Sequence, residues 1–135
     1  MCISMCACEY EWEKIEKALP DTTWTDAYTH SLNYMVYDFQ DDGHVYIDEY
    51  SGWSGKVKML RSYYCLYSVP TYDDVTHISI IPVAIKEAED IDYEMLSGPI
   101  DESRKITLLA TYEDGSLKLF YKKVELDRLY SYSLR

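Results

Sequence analysis

The sequence predicts an all-β domain, an antiparallel meander of about eight strands closed into a barrel, behind one short N-terminal helix. Three observations carry that expectation. After Pro20 the apolar pattern runs with period two, the repeat of a half-buried strand. Short turn signals recur along the chain at steady spacing, most of them built on Gly. Tyrosine occurs 15 times against 2 phenylalanines, and Tyr suits strands because it buries its ring while its hydroxyl reaches water. Closure also hides edges that an aromatic-rich sheet would otherwise leave open.

Residues 9–20, EYEWEKIEKALP, read as the helix. Trp12, Ile15 and Leu19 lie three and four apart and share one face, while Glu13 and Lys17 form an i, i+4 pair outside. Pro20 stops the helix. The apolar face is expected to cap the domain. Residues 22–29 form a first strand and residues 32–40 a second. Asp41-Asp42-Gly43 is a hairpin turn, with Gly supplying the positive φ. Residues 44–51 return as a third strand, and Gly52-Trp53-Ser54-Gly55 turns again. Residues 56–69 would span more than roughly 40 Å if unbroken, so a bend or bulge is expected. Residues 70–74 break the pattern and residues 75–85 resume it, with Pro82 at an edge or a bulge. The acidic stretch 86–105 holds Ile91, Tyr93 and Met95 in alternation, room for one short strand. Ser97-Gly98-Pro99 turns. Residues 105–112 and 116–124 form a hairpin around Glu113-Asp114-Gly115. Residues 126–135 are only weakly amphipathic and are expected to be a loose tail.

With 135 residues the chain suits one domain. Apolar residues make up 47% of it, enough for a core. The net charge of −11 argues against a nucleic-acid backbone and against electrostatic attachment to an anionic membrane. No stretch approaches the roughly 18 apolar residues of a spanning helix.

Three of the four cysteines, Cys2, Cys6 and Cys8, crowd the first eight residues, and Cys65 stands alone. Cys6 and Cys8 are poorly spaced for a bridge, so a disulfide would need Cys65. Zinc would need a second ligand pair, and His30, His44 and His77 are scattered. Met5-Cys6-Ala7-Cys8 resembles the lipobox that ends a bacterial lipoprotein signal peptide. In that family a small residue precedes a Cys that is lipidated and becomes the mature N-terminus. The resemblance implies that residues 1–8 are the remnant of such a signal, with Cys8 the lipidation site and residues 9–20 the helix and tether. The switch to Glu9, Glu11 and Glu13 resembles export signals of Gram-negative surface lipoproteins. Seven residues precede Cys8, without Lys or Arg. A working leader has a basic start and roughly 7–15 apolar residues, so the true start is expected upstream of Met1. Cys65 then remains as a small buried hydrophobe.

A second resemblance covers residues 19–125. Leu19-Pro20-Asp21-Thr22-Thr23-Trp24 is similar to the L-x-G-x-W opening of lipocalin-like domains, although Asp21 or Thr22 stands where that family often has Gly. Phe39-Gln40-Asp41-Asp42-Gly43 resembles their F-x-x-D-G hairpin, and Leu117-Lys118-Leu119-Phe120-Tyr121 their last strand. The resemblance implies a barrel domain over residues 21–125 and an envelope address, without naming an activity.

No Walker loop, dinucleotide fingerprint, H-E-x-x-H or G-x-S-x-G occurs. Asp90-x-Asp92-x-Glu94 is partly similar to a calcium loop, but Met95 and Asp101 occupy the places of its required Gly and Glu. Cys65 and His77 carry no signal that joins them as nucleophile and base. Small barrels hold one ligand where side chains leave the centre open. Trp24, Tyr34, Tyr37, Tyr46, Tyr63 and Tyr67 are the candidates to line such a cavity, or an outer patch that stacks on a small apolar or glycan ligand; as inward strand residues they would be ordinary core. No cofactor and no metal is expected. The function expected is that of a lipid-anchored envelope protein, at the outer membrane of a Gram-negative bacterium, binding a small ligand or an envelope protein partner. The alternatives are a cytoplasmic, non-enzymatic interaction domain and a small barrel hydrolase or isomerase using an acidic residue.

Overall fold

The computed structural model describes residues 10–27, 32–52, 56–70, 76–98 and 103–130. Cys8 and residues 1–7, the turn at Trp53, residues 71–74 of the predicted break, the turn at Pro99 and residues 131–135 lie outside them.

Helix α1 (Glu11–Ala18) forms where the 3.6-residue pattern places it. At its start the Tyr10 N–H donates to Glu13 Oε1 at 2.9 Å, supplying a partner for a backbone group that the helix leaves open. Ile15 and Leu19 are fully buried, with Trp12 packed beside them. Each of these two aliphatic side chains contributes about 1.5–3 kcal/mol through burial. The Tyr112 N–H donates to Glu11 Oε2 at 2.9 Å, tying the helix to the sheet. The apolar face therefore caps the domain, as its pattern predicts.

The sheet comprises β1 (Thr23–Thr25), β2 (Asn33–Phe39), β3 (His44–Ser51), β4 (Lys58–Ser68), β5 (Thr76–Glu87), β6 (Glu94–Met95), β7 (Ile106–Glu113), β8 (Ser116–Tyr121), β9 (Val124–Glu125) and β10 (Asp127–Leu129). Every pairing is antiparallel. Strands β1 to β5 follow one another as a meander. One end of β5 then pairs with β7 and the other with the two-residue β6. Pro82, which has no N–H to give, falls in the gap between those partners. Beside it Val83 is the extra residue of a bulge against β4, and Leu60 is the extra residue of a second bulge, against β3. Both irregularities lie where strand length and Pro82 place them.

The two ends of the sheet meet through one continuous stretch. Residues Val124 and Glu125 pair with β8, and after a single residue Asp127–Leu129 pairs with β1. Between the two strands Leu126 is buried, and its N–H donates to Leu119 O at 2.8 Å. The result is a small, nearly closed antiparallel barrel. Pairing thus continues past the expected boundary at residue 125 into what reads as a loose tail.

The expected eight strands become ten among the described residues partly because 116–124 is two strands rather than one. Asp114 and Gly115 both have positive φ, at 51° and 77°, as a two-residue type I′ hairpin requires. Lys122 and Lys123 do the same at 48° and 71°, between the paired residues Tyr121 and Val124. Lysine gives no sequence signal for that conformation.

Inside the barrel Trp24, Tyr37, Phe39, Val45, Ile47, Cys65, Ile78, Ile80, Leu108 and Leu119 form one buried cluster, closed at the helix side by Ile15 and Leu19.

Candidate functional site

The six aromatic candidates divide between the two faces of the sheet. Trp24 and Tyr37 are core, at 3% and 2% exposure. The Trp24 indole N–H donates to Thr22 Oγ1 at 2.8 Å. Burial raises the Tyr37 phenol well above its ordinary range, with the Asp26 carboxylate a further cause. Tyr63 and Tyr67 are partly buried against the same core. The Tyr67 ring meets Phe39 edge-on at 5.1 Å, and its hydroxyl donates to Gln40 O at 3.3 Å. These four fill space on the inner face, and Trp24 also lines a second cavity, of about 350 Å³, beside Leu117, Leu126 and Arg128 at the seam between β1 and β10. Tyr34 and Tyr46 point to the outer face, where the structure opens a pocket.

That pocket, of about 460 Å³, lies against the outside of β3, β4 and β5 and is lined by Asp48, Tyr50, Val57, Met59, Ser62, Lys86 and Tyr93. Strand register builds its floor. Asp48 lies directly opposite Ser62, and Ser62 opposite Lys86. Directly paired residues share a face, so a carboxylate, a hydroxyl and an ammonium form one row across three strands. Aromatic rows flank it. On one side Tyr34 pairs with Tyr50, their rings stacked at 5.4 Å. On the other Tyr46 pairs with Tyr64 at 5.4 Å. The bulge at Leu60 re-aims the end of β4 and brings Met59 opposite Tyr50.

The connection from β5 to β6 returns over this face and lays Tyr93 on it. The Tyr93 ring is 5.8 Å from that of Tyr46 and 6.2 Å from that of Tyr64. The Lys86 ammonium lies 5.5 Å from its centroid, within cation–π range. Below it Asp48 is 2% and Ser62 1% exposed. The Ser62 hydroxyl donates to Asp48 Oδ1 at 2.5 Å, and Tyr93 Oη lies 2.7 Å from Ser62 Oγ. Ser62 has one hydrogen, and Asp48 takes it. The Tyr93 hydroxyl therefore donates to Ser62, and the proton direction runs from Tyr93 through Ser62 to Asp48.

No family model, curated protein or solved structure matches the chain. What it shares with lipocalin-like domains is a small antiparallel barrel. The pocket's chemistry accordingly rests on its own residues.

Asp48, Ser62, Lys86 and Tyr93 are the residues that sequence reasoning missed. The available signal was Tyr46-x-Asp48-x-Tyr50, an acid between two tyrosines on one strand face. The hairpin at Gly43 fixes which residues oppose it on β2. Tyr34 and Tyr46, of the predicted set, do not line the pocket themselves and flank it through their contacts with Tyr50 and Tyr93.

Cys65 lies in the core, and burial pushes its thiol up to about 12. His77 is on the exposed face of β5. The two side chains point to opposite sides of the sheet. Asp90, Asp92 and Glu94, the residues with a partial likeness to a calcium loop, are all exposed.

Proposed function

We propose that the protein is a ligand-binding barrel, anchored by lipid on Cys8 in the cell envelope of a Gram-negative bacterium, whose ligand sits in the outer-face pocket. The observation that carries the binding reading is the Tyr93–Ser62–Asp48 chain. It holds a carboxylate at 2% exposure at the floor of an open pocket, with an ammonium in the same row and tyrosines on both sides. Pockets that take small ligands measure roughly 300–1,000 Å³ and combine apolar walls with a few placed polar groups. Among the described residues Trp24, Tyr37 and Phe39 belong to the buried cluster inside the barrel. The anchor rests on Met5-Cys6-Ala7-Cys8 and the acidic switch behind it. No helix among the described residues is long and apolar enough to cross a membrane, so attachment in this reading is through Cys8. The net charge supports no nucleic-acid partner.

Two measurements test the halves of this reading. Protein labelled with [13C]methyl-methionine is screened by NMR against a fragment library. A saturable shift of the Met59 methyl, with Met35 unmoved, is expected; a library that never moves Met59 overturns the pocket as a binding site. Cells expressing the gene with its upstream codons are fed a palmitate analogue. Incorporation that disappears in Cys8→Ala is expected. An unmodified Cys8 in a soluble fraction replaces the anchor with the cytoplasmic interaction domain.

A further inference from the structure

We propose that the seam of the barrel holds a second binding site, separate from the outer-face pocket, which takes the free C-terminal end of an extended peptide from a partner protein.

The seam is closed at one end and open at the other. Strand β9 pairs with β8 at Phe120 and Tyr121, and the Leu126 N–H still reaches Leu119 O. Past that bond β10 pairs with β1 alone and stands at the end of the strand order. Residues 116–118 of β8 and Asp127–Leu129 therefore part without pairing. The wedge beside them is the cavity of about 350 Å³ that Trp24, Leu117, Leu126, Arg128 and Tyr130 help to line.

Backbone groups alternate in direction along a strand. Leu126 turns its N–H to β8, so Arg128 turns its own N–H and C=O to the same side, while Asp127 and Leu129 face β1. This is a strand edge that opens on a cavity, and an added extended chain takes up such groups. The bond between Leu119 and Leu126 shuts the far end, so a chain that enters the wedge ends there. A chain that runs in with its C-terminus leading is antiparallel to β10, the sense of every other pairing in the sheet.

Arg128 decides which chain end fits. It lies directly opposite Trp24 and so shares the inner face with it. Its guanidinium carbon is 5.9 Å from the centroid of the Trp24 ring and 4.8 Å from that of Tyr130. Among the described residues it has no ion pair and no hydrogen bond. Two rings hold the cation in place and leave its N–H groups to grip a carboxylate by two parallel bonds. Lys118, Glu125 and Asp127 also line the cavity, and strand alternation puts all three on the outer face. On the inner face the charge is that of Arg128, which opposes an N-terminal amine and holds a C-terminal carboxylate. Leu117 and Leu126 beside it favour an apolar last side chain.

The test screens the full chain, 15N-labelled, against a library of N-acetylated pentapeptides with free carboxylates. Peptides with an apolar last residue are expected to shift the Trp24 indole N–H saturably. In the complex, exchange of the Arg128 amide should slow while Asp127 and Leu129, already facing β1, hold. Amidating the best peptide should weaken it about tenfold or more, and Arg128→Gln, an exposed change checked for folding by circular dichroism, should do the same. A library that moves neither Trp24 nor Arg128 overturns the proposal. So does an amide that binds as well as the acid, or affinity unchanged in Arg128→Gln. An Arg128 amide already protected in the free protein means that the edge is taken. Protection that falls on dilution then assigns it to a second copy, and protection that persists assigns it to the chain's own residues; either overturns the proposal.

Discussion

Ser62 Oγ sits 2.5 Å from Asp48 Oδ1 on the outside of the barrel, yet both residues are as buried as the core. An exposed sheet face needs no such contact. The pair is covered because the β5–β6 connection folds back and delivers Tyr93 to Ser62.

Removing the middle of that chain is expected to cost more than trimming its end. Ser62→Ala leaves the buried Asp48 carboxylate without its hydroxyl donor and should lose about 1.5–3 kcal/mol. Tyr93→Phe removes one neutral bond and should lose about 0.5–1.5 kcal/mol. Urea midpoints measure both. Amide exchange within residues 88–98 should quicken in each variant while that of β3 holds. Equal losses, or unchanged exchange, would show that the chain does not hold the connection down.

Stability should fall on the alkaline side. Burial raises the Cys65 thiol from 9.0 to about 12, and raises the phenols of Tyr37, Tyr63 and Tyr67 above their ordinary 10.0. The unfolded chain therefore loses protons that the folded chain keeps. Stability is fully present below pH 9 and declines as pH rises from there through about 12. Urea midpoints taken from pH 7 upward test the direction. In Cys65→Ala the earliest part of the decline, near the ordinary thiol range, should be absent. A midpoint that stays level to pH 11 would contradict the burial of these groups.

The seam is expected to depend on Leu126. It is 2% exposed between two very short strands, and Leu126→Ala should lose about 2–5 kcal/mol. The signature is local as well as global. Exchange should rise first at β1 and β10, whose pairing Leu126 supports, before β3 and β4 respond.

Two lysines at positive φ carry a backbone cost of about 1–2 kcal/mol each for an L-residue with a side chain. The double substitution Lys122→Asn and Lys123→Gly supplies the residues that a type I′ turn favours. It should raise the urea midpoint, by about 1 kcal/mol or more of stability. A fall would mean that these lysines make contacts worth more than the turn's strain.

The same lysines show where the sequence stops being legible. The turns at Asp41-Asp42-Gly43 and Glu113-Asp114-Gly115 announce themselves because Gly marks positive φ. Ile15 and Leu19 announce the helix face by spacing, and Pro82 with the length of β4 announces irregular pairing. Lys122-Lys123 announces nothing, so β9 and β10 merge into a strand end and a tail. The pocket is hidden for another reason. Asp48, Ser62 and Lys86 take the outward positions of their strands, as polar residues on any half-solvated sheet do. Only the return of residues 88–98 across that face separates them from an ordinary wet surface, and that path is tertiary. Of the alternating Ile91, Tyr93 and Met95, the outer two are exposed and Tyr93 alone turns onto the sheet.

The pairing of β1 with β10 has a consequence for synthesis. Residues 23–25 leave the ribosome early, and their second neighbour, residues 127–129, is among the last parts of this barrel to be made. Through most of translation β1 has β2 on one side and an open row of backbone donors and acceptors on the other, next to the still uncovered Trp24. Until the stretch around Leu126 arrives, that row is a vacant slot for any extended chain, including the same strand of a neighbouring nascent copy. Helix α1, complete earlier still, cannot fill the vacancy, because its fastening at Tyr112 is itself a late arrival.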